Sequence, residues 1–244
     1  MSMRDKYDNI LIILLITSIL LVLMYLLIGR SEYYFPKRDN FNVYGIDLSY
    51  YQGDKIDWDS LLYGNDTPIE FVFLKASEGV NLQDIMFKEY AKELSKRNVC
   101  FGAYHYFIAE LSGNEQAKNF LNAIDGIDVK LPYVIDIEEY NDRELAIRNL
   151  NSFIHTINNE TSHDIMIYTN ISTYYDLIIG NELDHLLLWI ASYKVDEPII
   201  PGRYLFWQYS DRGRLKGISE KIDLNVFNGS YNDWMKYKKY CGCN

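Results

Sequence analysis

Two carboxyls spaced to act together stand in the segment "PYVIDIEEY", residues 132–140. Val134, Ile135 and Ile137 mark a buried strand, and Asp136, Glu138 and Glu139 put charge at its end. Strand side chains alternate between faces, so Asp136 and Glu138 share one face while Ile135 and Ile137 pack on the other, under helices. Two carboxyls this close cannot both ionise freely, and one pKa must rise. An acid kept protonated near neutral pH can donate to a glycosidic oxygen while its neighbour stays anionic beside a developing cation. A D-x-E triplet by itself also fits a plainer role, capping the next helix or pairing with Arg143 or Arg148, and Glu139 suits that role.

Further polar and aromatic residues fall late in other candidate strands. Asp47 sits in "GIDLS", Asp223 in "IDLN", Tyr168 in "IMIYTN", Trp189 in "LLLWIASY", and Trp207 with Gln208 in "LFWQYS". An acidic, aromatic ring of this kind is what the mouth of a sugar-binding barrel requires. The elements that would carry it are β-branched and aromatic runs at 42–49, 70–77, 99–107, 132–139, 165–170, 186–193, 205–210 and 222–228. Helical patterns at 84–98, 114–124 and 142–159 separate the earlier runs, with a weaker one after the fifth. Such alternation implies parallel strands with crossover helices. The last three strands lie too close together for full helices. The expected fold is therefore α/β, a TIM-like barrel of eight strands with about five helices, with a doubly wound open sheet as the alternative.

Composition narrows the partners. A net charge of −10 argues against a nucleic-acid backbone, and 22 tyrosines among 244 residues suit sugar or peptide recognition, or simply a Tyr-rich core. No metal motif appears among the four histidines, and neither a metal nor a cofactor is expected. His105 suits a satisfied buried histidine. Of three cysteines, Cys100 reads as a small core residue, and the Cys241/Cys243 pair as a tail without assigned role. Residues 10–28, "ILIILLITSILLVLMYLLI", are uncharged and would span roughly 28 Å as a helix, close to the ~30 Å hydrocarbon core. The run exceeds the ~7–15 residues of a signal-peptide core and no A-x-A follows it. The expected layout is a cytoplasmic N-terminus at 1–9, a single-pass transmembrane signal anchor at 10–28, a linker at 29–40, a catalytic barrel at 41–236 and a tail at 237–244.

At these residues the sequence resembles glycoside hydrolase family 25, the muramidases often called lysozymes. The resemblance runs from about Tyr44 to Phe227 through "YGIDLSYYQG", "FVFLKASEG", "GAYHYF", "YVIDIEEY", "IYT", "LWIASY", "FWQYS" and "IDLNVF", in that order. It implies Glu138 as general acid/base and Asp136 as the group that orients and charge-stabilises the substrate's N-acetyl group. It further implies Asp47 and Asp223 as the rest of an acidic floor, with Tyr168, Trp189 and Gln208 lining the sugar site. Trp207 and Tyr104, the latter in "GAYHYF", are expected beside them. Glu78 in "KASEG" is either a substrate contact or a turn acid bonded to nearby backbone. One departure is Tyr51, where the family commonly has Trp. Family 18 chitinases are disfavoured, because the first position of their D-x-D-x-E is Val134 here.

The activity expected from this resemblance is hydrolysis of the β-1,4 bond between N-acetylmuramic acid and N-acetylglucosamine in peptidoglycan glycan strands. A membrane-tethered monomer with its catalytic domain outside the cytoplasm is the expected setting. Two other classes compete. A non-catalytic wall-glycan-binding barrel would not need both Asp136 and Glu138. A metal-dependent phosphodiesterase could use Asp47, Asp136 and Asp223 as hard-cation ligands, but no histidines or basic residues for phosphate are placed with them.

Overall fold

A computed structural model describes residues 12–20 and 34–243, and the chain divides into two units, 1–34 and 35–244. In the first unit the described helix covers only residues 12–20, roughly 14 Å at 1.5 Å per residue. Among the described residues no helix is long and apolar enough to cross a membrane. The transmembrane helix expected at 10–28 is therefore not supported. The apolar run alone prompted it, and apolarity measures what lipid would tolerate. Residues 10–11 and 21–28 of that run lie outside the described residues.

The second unit is built on one sheet of nine strands. They are β1 Tyr44–Leu48, β2 Ile69–Glu78, β3 Leu82–Gln83, β4 Cys100–Tyr106, β5 Tyr133–Asp136, β6 Ile165–Asn170, β7 Leu187–Ala191, β8 Phe206–Gly213 and β9 Ile222–Phe227. The two-residue β3 folds back on β2 as a hairpin. The other eight close into a barrel, since β1 pairs with β2 in parallel and with β9 antiparallel. That closure rules out the open sheet. Pairing is parallel from β1 through β2, β4, β5, β6 and β7 to β8, and turns antiparallel only at β9.

Helices fill the five crossovers between β1 and β7: α1 Trp58–Tyr63, α2 Phe87–Lys96, α3 Gly113–Ile124, α4 Arg143–Glu160, and α5 Ile171–Thr173 running into a π-helical turn Tyr174–Ile178. Local chemistry sets their starts. Asp57, Ser112, Asp142 and Asn170 each accept a backbone N–H of the first turn, offsetting donors that a helix leaves unpaired.

Alternation along the strands sorts side chains into two cores. Outward residues such as Val72, Leu74, Ile135, Ile137, Ile167 and Ile190 pack with Leu94, Phe120 and Phe153 of the helices. Inward residues, among them Phe71, Phe73, Val134, Met166, Trp189 and Phe206, fill the barrel. Gly45 and Gly102 make room, because a Cβ on either would overlap the Phe71 or Phe73 ring. Aromatic packing therefore closes the lower barrel and leaves polar side chains only at its upper rim.

The base of the barrel is plugged by α6, Tyr231–Tyr240, whose buried Trp234 lies 5.4 Å from the Phe71 ring and 5.3 Å from the Phe227 ring. This helix carries the chain end to β4, where Cys243 forms a disulfide with Cys100 at a Cα–Cα distance of 5.8 Å. The expected lone core cysteine and unassigned tail are thereby corrected. The two residues are 143 positions apart, and only the fold brings them together. Cys241 is free and half-buried.

Closing so long a loop is worth roughly 2–5 kcal/mol. Reduction, or Cys243→Ser, is accordingly expected to lower the melting temperature by at least about 5 °C, at roughly 2–4 °C per kcal/mol for a domain of this size. Thermal unfolding with and without reductant checks this; coincident melts would show that the clasp contributes nothing.

Candidate active site

Inward positions change character at the carboxyl ends of the strands. Lys75 of β2, Tyr104 and Tyr106 of β4, Asp136 of β5 and Tyr168 of β6 line a cavity of about 160 Å³ with Trp189, Gln208, Asp47, Asp223 and Glu138. Register aligns several of them at one height: Tyr106 beside Asp136, Asp136 beside Tyr168, Tyr168 beside Trp189, and Asp47 beside Asp223. Of the residues expected at the site, Asp47, Tyr104, Asp136, Glu138, Tyr168, Trp189, Gln208 and Asp223 are brought together.

Two are not. Trp207 follows Phe206 and precedes Gln208, both inward, so the pleat turns it outward. There its Nε1 donates to the Ser192 carbonyl at 2.8 Å and its ring packs on Phe41. Glu78 ends β2 outside the cavity lining and forms a 2.7 Å ion pair with Lys75.

Both plain roles for the D-x-E acids go to other residues. Asp142 caps α4 through Leu145 N–H at 3.0 Å. Arg143 pairs with Asp176 and Arg148 with Glu144. Just beyond β5, the backbone holding Glu138 is pinned by β6 and α5: Thr169 Oγ1 donates to the Ile137 carbonyl at 2.7 Å, and Thr173 Oγ1 to the Glu138 carbonyl at 2.9 Å. Among the described residues no hydrogen bond or ion pair holds the Glu138 carboxyl. Asp136 is buried, and its Oδ1 has no hydrogen-bond partner among the described residues.

A network fixes the far wall. Asp47 Oδ2 accepts from Gln208 Nε2 at 2.9 Å and Asn225 Nδ2 at 2.8 Å. Asn225 Oδ1 in turn accepts from Trp189 Nε1 at 2.8 Å. Gln208 Oε1 accepts from the Tyr168 hydroxyl at 2.8 Å and the Tyr193 hydroxyl at 2.5 Å. These bonds set both amide orientations and the direction of each hydroxyl.

Charge is crowded here. Burial pushes the Asp136 carboxyl well above the usual range, and the nearby Glu138 and Asp47 add to the rise while Lys75 opposes it. Burial also raises Glu138, with Asp47 and Glu139 contributing. Asp223 is pushed up to about 9 by burial and by Asp47. Asp47 is raised by burial but relieved by its bonds from Asn225, Gln208 and Asp223. A protonated Asp223 facing an Asp47 that accepts all its bonds is the arrangement in which one proton serves two carboxyls. Among the described residues, no group of three or more His, Cys, Asp or Glu side chains is arranged to hold a metal ion.

Sequence reasoning missed Lys75, Tyr106, Asn225 and Tyr193. The first three were accessible to it, as the next inward positions of strands already recognised: Phe71, Phe73, Lys75; Tyr104, Tyr106; Asp223, Asn225, Phe227. Tyr193 lies past the end of β7, where no periodicity applies. His105 is buried and satisfied, with Nδ1 2.8 Å from Ser77 Oγ and Nε2 3.2 Å from Gln116 Oε1.

Beside the cavity runs a larger groove of about 630 Å³, lined by Glu110, Glu139, Asn141 and Thr173 and sharing Tyr106 and Glu138 with it. Glu138 thus stands where a small pocket meets a larger polar groove. Acids gathered at the carboxyl ends of the strands, beside an open groove, stand where barrel enzymes carry their active sites.

Residues 46–218 match the family model for glycosyl hydrolases family 25, and the chain belongs to that family of glycoside hydrolases. It is 31% identical to Lysozyme M1 of Streptomyces globisporus over 83% of this chain and 73% of that protein. It is also 31% identical to the uncharacterized protein YegX of Escherichia coli K12, over 80% of this chain and 72% of that one. Among solved structures it is similar to a family 25 glycosyl hydrolase from Bacillus anthracis, with a TM-score of 0.73, 29% identity, and coverage of 85% of this chain and 98% of that one.

Proposed function

We propose that the chain is a peptidoglycan N-acetylmuramidase, with Glu138 as general acid/base and Asp136 supporting the substrate's N-acetyl group. The observation that carries the assignment is Glu138 itself: placed between pocket and groove, raised by burial, and with no hydrogen bond or ion pair to its carboxyl among the described residues. Similarity to lysozymes supplies the substrate class. Asp47 would hold the far wall through Gln208 and Asn225, with Asp223 against it, and Tyr104, Tyr168 and Trp189 would shape the pocket around one sugar. The Cys100–Cys243 disulfide supports work outside a reducing cytoplasm, where such bonds persist.

Incubation with purified peptidoglycan, with and without a chelator, followed by analysis of new reducing ends, tests the proposal. New N-acetylmuramic acid ends, formed equally with chelator, are expected. Binding without new ends would mean a glycan-binding barrel, and loss of cleavage on chelation would favour metal-dependent chemistry.

A further inference from the structure

The groove beside the pocket, about 630 Å³ against about 160 Å³, has no role in the reading above. Three successive strand ends build it. Glu110 comes from the loop after β4, Glu139 and Asn141 from the loop after β5, and Ser172 and Thr173 from α5 after β6. The strands below are in register at Tyr106, Asp136 and Tyr168, so the groove lies over the strand end that carries Asp136. Its walls are tied to one another. Glu110 Oε1 accepts from the Asn141 backbone N–H and from Asn141 Nδ2, both at 2.9 Å, which joins the first loop to the second. Asn170 Nδ2 and Thr173 Oγ1 donate to the Glu138 carbonyl at 3.3 and 2.9 Å, which joins the second to the third. None of the lining residues is a cation, and the Asn141 N–H holds the Glu110 carboxyl below the usual range.

We propose that this groove binds the peptide stem of the N-acetylmuramic acid unit seated in the pocket, with a free amine of that peptide against Glu110 and Glu139. The inference rests on the muramidase reading and on the place given to Asp136. Asp136 is buried, and its Oδ1, without a hydrogen-bond partner among the described residues, suits the acetamido N–H of the sugar in the pocket. In N-acetylmuramic acid the peptide hangs from a lactyl ether on the ring carbon next to the one that bears the acetamido group. An acetamido group held at Asp136 therefore sets the root of the peptide beside the same strand end. Tyr106 and Glu138 line both spaces, so the pocket leads into the groove there. The lining favours a peptide over a further sugar of the glycan. The flat apolar face of a sugar ring calls for an open aromatic ring. Here Phe107 is buried, one face of Tyr106 is taken by the Lys75 ammonium at 4.9 Å, and Tyr140 donates to Asp176. What remains is amide, hydroxyl and carboxyl, the groups that bond peptide N–H and C=O. Wall peptides carry a diamino residue, whose amine is cationic where it is not cross-linked. Carboxylates in a groove without a cation of its own suit that amine.

The experiment compares soluble, un-cross-linked glycan strands in three forms: with their peptides, with the peptide amines acetylated, and with the peptides removed by an amidase. The full chain is assayed on each, beside Glu110→Gln, which keeps an oxygen for Asn141 and loses the charge. Removing the peptide is expected to lower kcat/KM about tenfold, the effect of one charge-assisted hydrogen bond. The loss should fall on KM with kcat little changed, because contacts to the stem are the same in the ground and transition states. Acetylated strands should lie between the other two. Glu110→Gln should lose activity on amine-bearing strands and match the unaltered chain on strands without peptide. Equal kcat/KM with and without peptide overturns the proposal, and equal values for free and acetylated amines overturn the charge contact. A loss in Glu110→Gln of the same size on both kinds of strand would put the glycan itself in the groove and overturn it too. The comparison of substrates needs no variant, so it decides even if Glu110→Gln does not fold. No hydrolysis of any form by the folded chain would instead remove the muramidase reading.

Discussion

A chain carrying Glu138→Gln is expected to fold and melt as the unaltered chain does, yet to lose at least ~10²-fold of its hydrolytic rate, the lower range for general acid catalysis. The loss follows from what glutamine cannot do. Breaking the glycosidic bond leaves negative charge on the departing oxygen, and Glu138 is the carboxyl placed beside both pocket and groove to neutralise it. The expected retention of the fold has a separate basis. Among the described residues the Glu138 carboxyl holds nothing together, since its segment is fixed through backbone carbonyls by Thr169 and Thr173. Its pKa is raised in the folded state, so its effect on stability is absent below the unfolded value of about 4.3 and becomes a cost as pH rises from there through the folded value. Glutamine removes that cost, and the melting temperature at neutral pH should stay level or rise. Rate measurements on peptidoglycan beside a thermal melt check both parts. A folded Glu138→Gln chain with near-normal hydrolysis would show that another group donates the proton.

The two-residue period of strands carried most of what the sequence disclosed. It put Asp136 and Glu138 on one face and Ile135 and Ile137 under the helices, as the two cores are divided. The same period, applied strictly, separates Trp207 from Gln208, because adjacent strand residues cannot face one site. Applied one step further it reaches Lys75 and Asn225, and the partners of Asn225, Asp47 of β1 and Trp189 of β7, become visible only in the folded barrel. Tyr193 and the Cys100–Cys243 bond depend on an irregular loop and on a contact across 143 positions, and local pattern carries no signal for either. The apolar run at 10–28 is a strong local signal of composition, yet among the described residues no helix is long and apolar enough to cross a membrane.

The stereochemistry of cleavage should show retention, with the first-formed reducing end in the β configuration. Family 25 enzymes resemble the substrate-assisted glycosidases, in which the substrate's own 2-acetamido oxygen attacks the anomeric carbon. The geometry here favours that course over two opposed carboxyls. Residues two apart on a strand face are only ~6.5 Å apart at the backbone, side by side, and poorly placed to flank a sugar ring from opposite sides. In the assisted course the acetamido oxygen bonds to the anomeric carbon as the glycosidic bond breaks, and the leaving oxygen takes the Glu138 proton. Water then opens the oxazolinium and returns a proton to Glu138. Asp136 would accept the acetamido N–H on Oδ1, the oxygen without a hydrogen-bond partner among the described residues. As positive charge develops on that group, the anionic form of Asp136 gains more than it did in the ground state, which is stabilisation specific to the transition state. Asp136→Asn keeps the shape but loses the charge, and a fall of at least ~10²-fold in kcat is expected, comparable to removing one oxyanion-hole donor. Glycan lacking the N-acetyl group on the sugar in the pocket should be cut more slowly by a similar factor, and Asp136→Asn should add little to that loss, because the residue would have nothing left to stabilise. Early-time proton NMR of the released end decides between the courses: an initial α-anomer would mean direct attack by an activated water, and Asp136 would then be the base that activates it.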